Sequence, residues 1–385
     1  MLDLSRVLAG PYCTMVLADL GADVVKIERP GTGDETRGWG PPYAGGESAY
    51  YLSVNRGKRS CAIDLSTDEG RRLALELCAR ADVVIENFKT GTAERMGLDR
   101  ASVAERNPRV VYCSITGFSS RRRPAGRPGY DFVAQAESGI MSITGEADGE
   151  PMKVGVAMVD VLTGLHAAVA ILAAVNRGEG ERIEVSLLDS GLAGLINVAS
   201  NVLIAGGEPQ RHGNAHPNIV PYQSFPTADG WIAIAAPNDG LYTRLCEALG
   251  APELATDERF ASNAVRVQNR ETLVPMLEER LATRSAEEWL SALEEAGVPS
   301  GKIRTVPDAL QAAAEAGLAA STKVPHPTAG EVELVNSPIN LESGLREPQA
   351  PPLLGEHTAE VLKEIGCDDA EIERLAANGV VELRA

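Results

Sequence analysis

The stretch CAIDLSTDEGRRLALELCARADVVIENF (61–88) holds a complete strand–helix–strand pattern. It opens on a short β-rich run, CAIDL (61–65), and closes on a second, DVVIENF (82–88). Between them Ser66 and Glu69 give capping-box spacing ahead of RRLALELCAR (71–80), where apolar residues recur at helical intervals. Working outward, ADVVKIE (22–28), VVYCSI (110–115) and RIEVSLL (182–188) repeat the strand pattern, each read as buried on both faces. Strands alternating with helices imply βαβ units and a mostly parallel sheet with right-handed crossovers. The expected class is α/β, with a doubly wound, Rossmann-like layer.

From about Tyr222 the pattern changes to a hairpin-like YQSF-PTADG-WIAIAA (222–236), followed by acidic amphipathic helices between about 240 and 317. Thr283 to Glu288 and Val306 to Ala309 carry helix-start chemistry. A Pro-rich EPQAPP (347–352) then leads into two short helices. The expected organisation is a large domain beginning with 1–205, a smaller α/β domain over 222–325, and a C-terminal segment over 340–385.

The 385 residues carry 36 Lys+Arg against 54 Asp+Glu, a net charge of −18. That balance argues against nucleic acid or an anionic membrane as partner, since both need a dominant basic surface. An anionic ligand must therefore meet local positive charge. The six cysteines show no Cys-x-x-Cys pair and no disulfide density, which reads as reduced thiols in a cytoplasmic protein. The longest apolar run, Ala167 to Val175, falls short of the roughly 20 residues that a membrane span needs. No basic segment followed by an apolar one opens the chain.

Several familiar signatures are missing. GTGDETRG (31–38) lacks Gly-x-Gly-x-x-Gly spacing, and no Walker A motif or Gly-x-Ser-x-Gly elbow occurs, so nicotinamide chemistry is not expected. His212 and His216 have the spacing of a metal pair, but Gly213 and Pro217 argue against the helix that would present both, and no metal is expected. His166, inside an apolar helical run, reads as a satisfied core residue.

More informative is VGVAMVDVLTG (154–164), which places one carboxylate, Asp160, between an apolar run and an apolar helix. It reads either as a helix N-cap or as an acid arranged for chemistry, and the two are compatible. At a helix N-terminus such a group should stay ionised and serve as a nucleophile. Upstream, RPGYDFVAQAESG (127–139) brings Tyr130, Asp131 and Gln135 to a helix start, read either as a plain turn and cap or as a polar cluster facing Asp160. Arg29 and the pair Asn87-Phe88 sit at strand ends, where ligands of open parallel sheets bind.

These residues carry a recognisable pattern. LDLSRVLAGP (2–11), LGADVVKIERP (20–30), TRGW (36–39), NRGKRS (55–60), VIENF (84–88), ERMG (94–97), Tyr130-Asp131, the Asp160 segment and PPLLGEHT (351–358) resemble, in order, the family III CoA-transferases of the CaiB/BaiF type. The resemblance spans essentially the whole chain. It implies a large Rossmann-like domain, a small domain, and two chains threaded as interlocked rings. The opening strand is shorter than is usual in the family, which implies a trimmed or alternatively assigned start.

By the same resemblance Asp160 matches the nucleophilic aspartate, and Tyr130 and Asp131 line the reaction centre. Arg29 and Arg95 lie near the CoA nucleotide, while Leu8, Ala9, Ile63, Asp64, Leu65, Asn87 and Phe88 match other CoA contacts. Coenzyme A enters as a substrate, with no permanently bound cofactor. The implied chemistry is attack of the carboxylate on a thioester, giving an aspartyl anhydride and then an aspartyl-CoA thioester, with backbone amides holding the oxyanion.

Racemases of this family carry a histidine where Tyr130 stands. A phenol with a pKa near ~10 is a poor proton shuttle at neutral pH, so transferase is favoured. The glycine-rich loop of formyl-CoA transferase is absent. In its place RHGNAHPNIVPYQSF (211–225), with MKVGVAMVD (152–160), looks most like the branch moving CoA from succinyl-CoA to dicarboxylates such as glutarate. Arg211, His212, Asn214 and His216 are the expected donors to a distal carboxylate. The rival readings are an acyl-CoA racemase, a catalytically silent CoA-binding protein and a redox enzyme.

Overall fold

The structure, a computed structural model, describes residues 1–119 and 127–384. Six strands build the main sheet: β1 (Leu2–Asp3), β2 (Val24–Glu28), β3 (Lys58–Ile63), β4 (Val83–Glu86), β5 (Val111–Thr116) and β6 (Glu181–Ser186). All pair in parallel in the order β3-β2-β1-β4-β5-β6, the strand order of dinucleotide-binding folds. The order reverses between β1 and β4, so the loops leaving these strands open a crevice. A seventh strand, Val381–Glu382, pairs antiparallel with β3.

The helix after β3, Asp68–Arg80, is capped by Thr67, which accepts the Gly70 amide, and not by Ser66. Ser66 instead donates its own amide to Asp64 Oδ1 at 2.9 Å, a turn that pushes the helix start one residue on. Leu73, Ala74, Leu77 and Cys78 then face the core formed with Val25, Ile27, Ile63 and Val84.

On the other side of the sheet lie the helices α1 (Ala9–Asp19), α2 (Asp131–Glu137) and α3 (Met158–Arg177). The last has 20 residues and is apolar enough to span a membrane by length and composition, unlike the shorter run seen in the sequence. Its small residues Gly164, Ala167, Ala168 and Ala174 are buried against α1, β5 and β6, the position of a layer helix. His166 lies on the exposed side, with Nδ1 3.1 Å from the Ser190 hydroxyl, so it is no core residue. Leu165, Val169, Leu172 and Val175 are exposed along the same helix.

The chain divides into two compact units: 1–140 with 153–206 and 319–385, and 141–152 with 207–318. In the second, an antiparallel sheet of Tyr222–Pro226, Trp231–Ala235 and Ser300–Lys302 packs on helices around Phe225, Ile232, Tyr242 and Trp289. Ser285 and Glu288 form a capping box there. The C-terminal residues of the first unit close on β3: Gly355 donates to Ser60 Oγ at 3.0 Å, and Ala62 donates to Thr358 Oγ1 at 3.0 Å.

A Cβ on Gly164 would lie 2.7 Å from the Ala9 carbonyl oxygen, which is backbone and cannot step aside. Gly164→Ala should therefore lower the melting temperature, even though alanine is favoured over glycine inside a helix by about 1 kcal/mol. A rise in melting temperature would contradict this packing.

Candidate active site

The crevice between β1 and β4 is lined at its inner end by Arg6, Val7, Leu8, Ala9, Asn87, Phe88, Tyr130 and Asp160. Its outer end is lined by Arg29, Ile63, Asp64, Leu65, Ser66 and Phe88. Arg6, Glu35 and Phe88 line both ends. Gly117 and Gly129 let the chain pass close to itself at the inner end, where a Cβ on Gly129 would sit 2.5 Å from Gly117 Cα. Beside them the Thr116 hydroxyl has no partner among the described residues.

Asp160 occupies the first turn of α3, whose N-cap residue, Ala157, supplies no side-chain bond. The cap comes from Asp131, whose Oδ1 accepts the amides of Val159 at 2.8 Å and Asp160 at 3.2 Å. Gln135 aims that carboxylate: its Nε2 donates to Asp131 Oδ2 at 2.6 Å, and its Oε1 accepts the Val154 amide at 2.8 Å. Asp160 is thus not the cap, and it is not held ionised by the helix terminus. Burial, with the Asp131 charge beside it, pushes its carboxyl up to about 7. Tyr130 and Asp160 face the cleft, while Asp131 and Gln135 stand behind them.

The expected CoA contacts divide in the same way. Leu8, Ala9, Arg29, Ile63, Asp64, Leu65 and Phe88 line the cleft. Arg95 is exposed and donates to Thr92 Oγ1 at 2.7 Å; Thr92 and Met96 of its helix line the outer end. Asn87 lies at the cleft, but its amide is engaged with Arg6, accepting the Arg6 N–H at 2.9 Å and donating to the Arg6 carbonyl at 2.7 Å.

Arg211, His212, Asn214 and His216 belong to the second unit. Arg211 is not a free cation there: it donates to the carbonyls of Glu146 at 3.0 Å, Gly149 at 2.7 Å and Ala147 at 3.4 Å. Asn214 donates to Ser224 Oγ at 3.0 Å, and His216 Nδ1 accepts the Asn218 amide at 3.0 Å. Burial lowers both histidines below the usual imidazole range, with the Arg270 charge adding to it. His212 is exposed. Among the described residues no group of three or more His, Cys, Asp or Glu is placed to hold a metal ion.

Two further residues, Arg6 and Tyr50, were not singled out as site residues from sequence. Arg6 bridges the two ends of the cleft as an exposed cation. Burial, with the charges of Asp160 and Asp131, raises the Tyr50 hydroxyl to about 12, which places a protonated phenol near the carboxylates. The spacing of Tyr50, 110 residues before Asp160, carries no local signal.

A buried acid of near-neutral pKa, opening on a cleft at the carboxyl ends of parallel strands, is the kind of site that α/β enzymes carry. Comparison with known proteins supplies the family. Residues 1–358 match the family model for CoA-transferase family III. The chain is 43% identical to the mouse protein "Succinyl-CoA:glutarate CoA-transferase", covering 99% of this chain and 89% of the relative. It is 44% identical to "Succinate--glutarate CoA-transferase" of Agrobacterium fabrum, covering 95% and 94%. The crystal structure of a CAIB/BAIF family protein from Brucella suis superposes with a TM-score of 0.83 at 43% identity, over 94% of this chain and 97% of that one. The chain belongs to CoA-transferase family III.

A carboxyl raised in the folded state favours folding when protonated; that advantage is present below the unfolded value near 3.9 and is lost as pH rises through about 7. Asp160→Asn removes the charge that must be buried at high pH. Its stability gain over wild type should therefore be larger at pH 8 than at pH 5 by thermal unfolding. An equal difference at both pH values would contradict the raised value.

Proposed function

We propose that this protein transfers CoA from a donor thioester to a carboxylic acid through Asp160. The observation that carries the reading is the buried, near-neutral carboxyl group at the inner end of the cleft. In the proposed sequence the ionised Asp160 oxygen attacks the thioester carbonyl carbon, and the C–S bond breaks to release CoA thiolate. The thiolate then attacks the Asp160 carboxyl carbon of the mixed anhydride, which frees the donor acid and leaves an aspartyl-CoA thioester. The acceptor carboxylate attacks that thioester, and the returning thiolate takes the acceptor acyl group from the new anhydride. Asp160 leaves as it began, and no ATP is consumed.

The names of the relatives, succinyl-CoA:glutarate and succinate–glutarate CoA-transferase, support succinyl-CoA as donor and a dicarboxylate such as glutarate as acceptor. Arg29 and Arg95, near the outer end of the cleft, would meet the CoA phosphates, and Arg6 stands between them and the reaction centre. Exposed apolar side chains on α3 and on Ile196–Ala205, among them Val169, Ile196, Leu203 and Ile204, fit an interlocked homodimer that would cover them. Six free, buried cysteines suit a reducing cytoplasm.

Incubation with succinyl-CoA followed by hydroxylamine or borohydride should leave a modification at Asp160 by peptide mass spectrometry. Unmodified Asp160 alongside intact CoA binding would support a silent binding protein. In the same enzyme kcat/KM should fall with acid below about pH 7, and Asp131→Asn should move that limb to lower pH by removing the neighbouring charge. A profile flat to pH 5 would contradict the role of Asp160. Because Arg211 holds backbone carbonyls, Arg211→Ala should reduce transfer to a dicarboxylate and to a monocarboxylate alike. A loss confined to the dicarboxylate would restore Arg211 as its partner.

A further inference from the structure

Val7 has φ +71°, a left-handed conformation that β-branched residues avoid. It lies half-buried in the lining of the inner cleft, two residues before α1. Strain of this kind persists only where the surroundings over-determine it. Here every backbone polar group from the Ser5 amide to the Val7 amide is held by a side chain. Ser5 N donates to Asp3 Oδ1 at 2.9 Å, and the Ser5 carbonyl accepts Lys26 Nζ at 2.7 Å. Arg6 is bound at both ends by Asn87. Val7 N donates to both oxygens of Asp34, at 3.3 and 3.2 Å.

Asp34 and Lys26 complete the clamp. Both side chains are fully buried, and they pair at 2.9 Å, so Lys26 grips the carbonyl before Arg6 while Asp34 grips the amide after it. Asp34 is itself aimed by its amide, which donates to Glu28 Oε2 at 3.0 Å, and by Thr36, whose amide and hydroxyl donate to its Oδ1. We propose that Asp34 and Lys26 are positioning residues for CoA transfer: they fix the strained turn at Val7 and so set the direction of the 6–9 backbone beside Asp160. The proposal rests on the reading of this cleft as the transfer site.

The test uses three variants of the full-length protein, assayed with succinyl-CoA and glutarate at a temperature where circular dichroism shows each fully folded. Val7→Pro cannot reach positive φ and has no N–H for Asp34. Its kcat should fall about a hundredfold, the scale expected for a misplaced reacting group, with a cooperative melt retained. Asp34→Asn should lose about tenfold in kcat. Adding Val7→Gly to Asp34→Asn should restore most of that loss, because glycine reaches φ +71° without the strain that the clamp must hold in valine. A clamp needed only for stability would leave kcat of the folded protein untouched, and that result overturns the proposal. So does a Val7→Pro enzyme within about threefold of wild type, or a failure of Val7→Gly to rescue. If Asp34→Asn does not fold, Val7→Pro alone decides. Absence of transfer by the wild type would instead count against the function assigned to the cleft.

Discussion

One oxygen of Asp131 accepts two amide protons where the chain turns into α3, and the chemistry of the cleft follows from that contact. Those amides are among the unpaired donors that open any helix. Were they free, they would stabilise a charge on Asp160 and hold its carboxyl low. Asp131 takes them, keeps its own carboxylate nearby, and leaves Asp160 buried without a cation. The result is a carboxyl near 7, roughly 4 kcal/mol above its ordinary affinity for protons. A carboxylate of that basicity is a stronger nucleophile than an ordinary aspartate, and it is available at neutral pH.

Charge of the opposite kind is concentrated behind the cleft. Arg37 bridges Glu28 with Nε–Oε2 and Nη2–Oε1 distances of 2.7 Å, Arg56 holds both oxygens of Asp19, and Lys58 reaches Asp3 at 3.3 Å. Burial pushes Asp3, Glu28 and Asp34 up, but their cationic and hydrogen-bonding partners outweigh it and hold all three low. Breaking such a buried pair is costly because it strands the surviving charge, so the network is rigid. It carries the loops on which Arg6, Val7 and Arg29 stand. A chain with net charge −18 therefore binds cations internally where it needs geometry, and exposes a few of them where an anion would enter.

Periodicity made the layer legible: β-rich runs of five to seven residues between helical repeats located β2 to β6 to within about three residues, whereas β1, two residues long at the middle of the sheet, offers no such run. Asp160 was legible as a carboxylate at an element junction. Its state was not, because the residue that caps the helix lies 28 positions away from Val159 and meets it only in the fold. The same holds for Lys26 and Glu28, which read as part of an apolar strand and prove to be the anchors of Asp34 and Arg37. TRGW and NRGKRS carry the cations Arg37, Arg56 and Lys58, and Arg211 is the expected donor to a distal carboxylate. In the structure Arg37, Arg56 and Lys58 are taken up by buried carboxylates, and Arg211 by carbonyls, so residue type alone overstated the free positive charge.

The chemistry of the cleft depends on Asp160 titrating near neutrality in the resting protein. Infrared difference spectroscopy of the carboxyl stretch, comparing wild type with Asp160→Asn across pH 4 to 9, reads this without substrate. A protonated carboxyl band lost with a midpoint near 7 is the predicted result. A midpoint near the ordinary aspartate value of about 4 would contradict it and return Asp160 to the ionised carboxylate at a helix N-terminus that the sequence led one to expect.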